Sequence, residues 1–191
     1  MVISSKECYG YKLKSQIREA YGKVLYTMTA HEKQAKSLRK IDNRIKIIQI
    51  VLSALTTGSF LTSVIYNQQV ASIVGATLSF ILLVFNLYTK NFTLIQDASE
   101  HEKAGNLLWK VREEYISLLT DFCELDERQI VEKRDELQDR VYKIYSSTPR
   151  TNEKSYKKAQ KAIKYEEEQS FSEREIDDVL PNALRNEYNN D

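Results

Sequence analysis

Two histidines, His31 and His101, and two cysteines, Cys8 and Cys123, are the chain's candidates for metal or nucleophile chemistry. Imidazoles brought to one level can sense pH or bind a metal. The four residues show no C-x-x-C spacing and no familiar four-ligand zinc pattern. The acids at Glu166–Glu168 and Asp177–Asp178 are consecutive, so on a helix they diverge rather than pair for acid–base work. No Walker loop, GxGxxG, GxSxG or HExxH is present, and neither an enzyme, a cofactor nor a metal is expected. A second kind of chemistry belongs to neutral polar side chains within apolar surroundings. At about 100° per residue, Gln49, Ser53, Thr56 and Ser63 fall within about 80° of one another, and Ser72, Ser79 and Asn86 within about 40°. Such stripes can knit helices together or line water.

The elements that carry these stripes follow from the distribution of charge. The chain has 191 residues, which suits one compact domain, with 28 Lys/Arg against 27 Asp/Glu. That balance gives no reason to expect direct nucleic-acid binding. Residues 1–46 hold 11 basic and 4 acidic residues, whereas residues 47–89 hold none of either. The charge-free block divides into Ile47–Tyr66 and Val70–Thr89, each 20 residues long, around the short polar link Asn67–Gln69. As a helix, each segment is about 30 Å long, the thickness of a bilayer's hydrocarbon core. Its strongly apolar residues favour insertion by about 3–6 kcal/mol before the polar ones are counted against it. A soluble bundle would keep charges every few residues along such helices, so a membrane hairpin is expected.

Lys33, Lys36, Arg39, Lys40, Arg44 and Lys46 precede the first span, Lys90 follows the second, and the link has no Lys or Arg. Positive residues stay inside, which predicts both termini in the cytoplasm and Asn67–Gln69 outside. Lys36, Arg39, Lys40, Arg44, Lys46 and Lys90 are the candidate interface cations, with the lipid bilayer as the partner. Ala54 and Gly58 lie on the far side of the first span from its polar stripe. Together with Gly75 and Ser79 in the second, they are spaced to let helices approach closely.

Five Gly and two Pro favour long helices over a turn-rich β fold. Leu13, Ile17, Tyr21, Val24, Met28, His31, Ala35, Leu38, Ile41, Ile45 and Ile48 form a seam with steps of three and four that runs into the first span. Leu94, Ala98, His101, Gly105, Leu108, Val111, Tyr115, Leu118 and Phe122 form its counterpart after the second. Both spans should therefore extend beyond the membrane as paired helices over about 11–46 and 90–123. Partner numbers then sum to about 136, within a turn of bringing His31 to His101 and Tyr26 to Trp109. Asp126 and Gln129 form a capping box for a third helix over 127–147, with Ile130, the stem of Arg134, Leu137, Val141, Ile144 and Tyr145 on its inner face. Lys154–Glu168 reads as a peripheral helix with a thin stripe of Tyr156, Ala159, Ile163 and Tyr165. Ser172 and Glu175 cap a last short helix that Pro181 stops, and the final NEYNND reads as frayed. The division is thus 1–148 for the two-span unit and 149–191 for a C-terminal helical extension.

The opening YGYKLKSQIREAYGKVLY, the basic run before IKIIQIVLSALTTGSF, the second span and the long amphipathic helix after it resemble the SLATT family. These are bacterial two-transmembrane effectors associated with SMODS and SLOG conflict systems. The similarity covers roughly residues 9–145, and the remaining helices look like a subgroup extension. The resemblance implies an all-α protein of the bacterial inner membrane that assembles as a homo-oligomer and permeabilises that membrane in antiphage defence. It also implies silence until a sensor protein or a nucleotide second messenger acts. No residue inherits a role by match. The rival expectation is a non-conducting membrane anchor whose helical bundle recruits a partner.

Overall fold

The computed structural model describes residues 5–66, 68–181 and 185. It is all-helical over these residues: α1 (Ser5–Tyr66), α2 (Gln69–Thr89), α3 (Leu94–Thr120), a 3-10 turn at Asp121–Cys123, α4 (Glu127–Ser147), α5 (Glu153–Tyr165) and α6 (Glu173–Val179). α1 is one unbroken helix of 62 residues, about 93 Å long. It is the spine, packing on α2, α3, α4 and α5.

From Val24 to Ser63, the buried side of α1 keeps alternate steps of four and three through Met28, His31, Ala35, Leu38, Asp42, Ile45, Gln49, Leu52, Thr56 and Ser59. This heptad spacing holds one face toward its partners, as in a coiled coil. The seam agrees with the expected one as far as Leu38 and then departs from it. Asp42 and Gln49 occupy the seam, and Ile41 and Ile48 point outward. The reason is geometric: α1 keeps alternate steps of three and four past Leu38, whereas the apolar pattern takes two successive steps of three from Ala35 to Ile41, and within the span an outward isoleucine faces an apolar medium. Asp42 is held there by an ion pair to Lys46 at 2.7 Å.

The second strand of the hairpin is not continuous. α2 stops at Thr89, and Lys90–Thr93 forms a tight break before α3 begins at Leu94, rather than at residue 90. The Lys90 amide still bonds the Asn86 carbonyl at 2.9 Å, and that of Phe92 bonds the Thr89 carbonyl at 3.0 Å. Tyr88 and Phe92 meet edge to face at 5.1 Å across the break. The expected antiparallel register holds on both sides of it. Gln49 meets Asn86 above, and His31 meets His101 below.

The polar-flanked half is a conventional soluble core. Leu13, Ile17, Val24 and Met28 of α1 interlock with Leu108, Val111, Tyr115 and Leu118 of α3, and α4 closes the layer with Ile130, Leu137 and Ile144. α4 starts at the full Asp126/Gln129 capping box. The Arg134 guanidinium reaches over the core to donate to Gln16 Oε1 at 3.1 Å. α5 presents Ser155, Ala159 and Ala162 to α1, with Tyr156 and Tyr165 exposed. Small side chains form the buried contact, the Tyr156 ring lies at its edge 6.1 Å from that of Tyr26 on α1, and the Ser155 hydroxyl bonds Gln34 Oε1 at 2.5 Å. α6 begins at a second capping box, Ser172 with Glu175. Asn67 and residues 186–191, which include the NEYNND end, lie outside the described residues.

Candidate functional site

The most apolar stretches of α1 and α2 are also the least buried, 0% and 6% respectively. Ile47, Ile50, Val51, Leu55, Val64 and Ile65 point outward from α1, and Val70, Ile73, Phe80, Val84 and Leu87 from α2. Burying an apolar side chain is worth about 1.5–3 kcal/mol, so water around this many would be costly. A bilayer is the medium that fits them.

Within the hairpin, α1 turns Ile45, Gln49, Leu52, Thr56, Ser59 and Ser63 toward Ala71, Gly75, Leu78, Leu82, Phe85 and Thr89. Gly75 is buried at the crossing: a Cβ there would stand 3.2 Å from Ser59 Cβ and 3.7 Å from the Phe60 nitrogen. Its lack of a side chain sets how closely the two helices approach.

The two polar stripes are carried to one side. Gln49, Ser53, Thr57 and Asn86 share one groove with Ala54, Gly58 and Leu61. Thr56, Thr57, Ser63, Ser72, Ala76 and Ser79 share the groove that continues it toward the link. Two pairs tie the helices across the seam: Gln49 Nε2 donates to Asn86 Oδ1 at 2.8 Å, and the Ser63 and Ser72 hydroxyls bond each other. The Thr56 and Thr57 hydroxyls donate back to the carbonyls of Leu52 and Ser53 at 2.8 and 3.0 Å. Ser53 and Ser79 keep hydroxyls with no partner among the described residues.

The seven polar residues singled out from sequence thus divide. Gln49, Asn86, Ser63 and Ser72 are engaged within the hairpin, Thr56 is half-buried on its seam, and Ser53 and Ser79 are open. Thr57, which borders both grooves, was missed because it lies outside the 80° arc that defined the stripe. Ala54 and Gly58 flank the same polar groove, not a separate far face, and nothing stands within 4 Å of a Cβ built at Gly58.

Of the cations, Lys36, Lys40, Arg44, Lys46 and Lys90 are exposed. Arg39 pairs with Glu102 of α3. Arg44, Lys46 and Lys90 all sit at the end of the hairpin away from the link.

Below the break, His31 and His101 are 3% and 4% exposed, with their Nδ1 atoms 3.0 Å apart. One Nδ1–H must donate to the other's lone pair, which requires that the accepting ring be neutral with its proton on Nε2. Burial, with His101 adding to it, lowers the His31 pKa to about 4. Burial also lowers that of His101, against the pull of Asp97. Among the described residues, no cluster of three potential metal ligands forms here or elsewhere.

A continuous long helix, a broken return helix, two bare apolar stretches and one polar groove define a helical membrane protein with two candidate spans. The chain belongs to the SLATT_4 family, the SMODS and SLOG-associating 2TM effector domain family 4, which it matches over residues 13–175. The matched region runs past Pro149 and into α6. No curated protein and no solved structure matches the chain.

Proposed function

We propose that the protein is a membrane-permeabilising effector of bacterial antiphage defence, in which copies assemble through the polar side of the hairpin. The observation that carries this is the division of the hairpin into one side whose grooves gather open hydroxyls and small residues, and another that is mainly apolar, where the hydroxyls of Thr62 and Thr77 are bonded back to their own helices. Open hydroxyls facing hydrocarbon are unfavourable, and Ala54, Gly58 and Ala76 beside them let another helix come close. Two helices cannot enclose water, so any conducting path needs several copies. Ser53, Thr57 and Ser79 are then its wetted wall, and the bundle is the part that a partner protein or a nucleotide signal would act on.

The inner membrane, with both termini cytoplasmic, is the matching location. Arg44, Lys46 and Lys90 at one end, against none at Gln68 and Gln69, support that orientation. With the native cysteines replaced, a cysteine at Gln68 should react with an impermeant thiol reagent in intact spheroplasts and one at Lys143 should not. The reverse pattern would overturn the orientation.

The functional test is ion flux from liposomes. The Ser53→Leu/Thr57→Leu protein should insert normally, and the oligomers it still forms should lose flux, because an apolar constriction closes by dewetting. A non-conducting anchor is the second reading. It is favoured by the two cross-seam pairs, which use four of the polar side chains inside one hairpin. A wild type that carries no flux in any reconstitution would make that reading the right one.

A further inference from the structure

A cavity of about 370 Å³ opens in the bundle, where α1 supplies Thr27 and His31, α4 supplies Tyr145, and the segment joining α4 to α5 supplies Thr148, Pro149, Arg150 and Thr151. Its size lies within the range of about 300–1,000 Å³ for small-molecule sites. Its lining holds a guanidinium, an imidazole, three threonines and a tyrosine, and no carboxylate, in a chain whose acids nearly equal its bases.

The hydrogen bonds already made decide which groups are left for a ligand. Tyr145 OH donates to Thr27 Oγ1 at 3.0 Å, and Thr27 in turn donates to the Lys23 carbonyl at 2.9 Å. Thr148 donates to the Ile144 carbonyl at 2.8 Å. Those three protons are used. Arg150 and Thr151 have no hydrogen-bond or ion-pair partner among the described residues. They stand on a short segment fixed at both ends, by Thr148 at the end of α4 and by Asn152, whose side chain caps α5. His31 forms the floor: its Nδ1 is bound to His101, and its Nε2 has no partner among the described residues.

We propose that this cavity binds a small soluble molecule bearing an oxyanion, a phosphate or a carboxylate. The Arg150 guanidinium takes two of its oxygens, and Thr151 and His31 Nε2 complete the contact. Arg suits this task because its planar fork matches such groups in a bidentate fashion. A lipid head group is the wrong source. His31 lies 16 residues before Ile47 on a continuous helix, about 24 Å below the span, whereas the head-group layer is about 5–8 Å deep. Occupancy has a consequence for the fold. An oxyanion accepts hydrogen bonds, so it selects the tautomer with a proton on His31 Nε2. His31 Nδ1 must then accept from His101 Nδ1–H, which fixes the direction of the bond that ties α1 to α3.

Calorimetric titration of the full-length protein in detergent at pH 7, with pyrophosphate and then citrate as probes, tests the site. Saturable binding of at least one probe is expected. Arg150→Gln should weaken it by about 10- to 100-fold, and Thr151→Val by less. Arg128→Gln removes the same charge from exposed surface elsewhere and should leave affinity unchanged. Nitrogen NMR of the histidines should show His31 fixed in the Nε2–H form on binding. Failure of both probes to bind, an equal loss with Arg128→Gln, or a bound-state His31 in the Nδ1–H form would each overturn the proposal. Helical circular dichroism checks that each variant is folded, and Arg150 is exposed, so its replacement leaves the core untouched. Binding is read without any ion flux, so this site and the hairpin's function stand or fall separately.

Discussion

α1 uses the same heptad seam twice, once against α3 in water and once against α2 in an apolar medium, and the two halves are built on opposite plans. Against α3 the seam is Val24, Met28 and His31, fully buried, with charged residues outside. Against α2 it is Gln49, Thr56 and Ser63, half-buried, with isoleucine and leucine outside. The difference follows from the solvent. Water drives apolar side chains inward. Lipid tails are as apolar as leucine, so helices are held there by close contact at small residues and by hydrogen bonds. One helix therefore carries two packing codes on one unbroken spacing, and the changeover lies between Leu38 and Gln49.

Core truncation should break this comparison most strongly. Leu108→Ala, in the α3 half, should cost about 2–5 kcal/mol, because a buried site leaves a cavity. Leu82→Ala, in the α2 half, should cost well under half as much, since lipid can fill the space. Denaturation followed separately by bundle and hairpin probes checks the pair. Equal losses would mean that the hairpin seam is also held by apolar burial.

Acid should act on one half only. His31 titrates at about 4 when folded against about 6.5 unfolded. The unfolded chain binds the extra proton in that window, so stability is complete above about pH 6.5 and falls as pH drops toward 4. The loss is at most about 3 kcal/mol. His31→Asn should reduce this dependence in thermal melts, with the lowered pKa of His101 carrying the remainder, and leave hairpin probes unmoved. An undiminished dependence in that variant would assign it to other groups.

Two glycines sharpen the contrast within the hairpin. Gly75→Leu should clash with Ser59 and the α1 backbone and cost about 1–3 kcal/mol of hairpin packing. Gly58→Leu meets open space, so it should leave the hairpin intact and reduce cross-linked oligomer yield. Unchanged oligomers with Gly58→Leu would remove the groove as the assembly face. The smallest effect belongs to Asn86→Leu, which removes the Gln49 bond and should cost about 0.6 kcal/mol, typical of a hydrogen bond between membrane helices. A loss several times larger in a hairpin-specific unfolding measurement would mean that this pair is the main tie.

Much of the candidate site was legible, and the limits are specific. Gln49, Ser53, Ser79 and Asn86 stood out because each shares a narrow arc with other polar residues of its own helix. Thr57 did not, because an angular criterion within one helix is blind to the groove that its neighbour creates. The Arg150 cavity left no trace in the sequence. Its residues come from two helices and a linker and share no periodicity, and Arg150 by itself reads as one surface cation among many.

Length, charge segregation and spacing by themselves determined the all-helical architecture, the pair of apolar stretches, both capping boxes and a register that brings His31 to His101. Each of these is a local or one-dimensional property: a cap depends on four consecutive residues, and an antiparallel register depends on the position of the link. Only the tertiary structure decided that Asp42 and Gln49, not Ile41 and Ile48, face the seam, that the return helix breaks at Lys90–Thr93, and that both polar stripes share one side. For the two choices of face the physical reason is the same. Periodicity measures angles along a helix relative to one another, and hydrophobicity converts them to inside and outside only where the solvent is water. In an apolar medium that conversion fails, and close packing at Gly75 with the hydrogen bond between Gln49 and Asn86 sets the rotation instead.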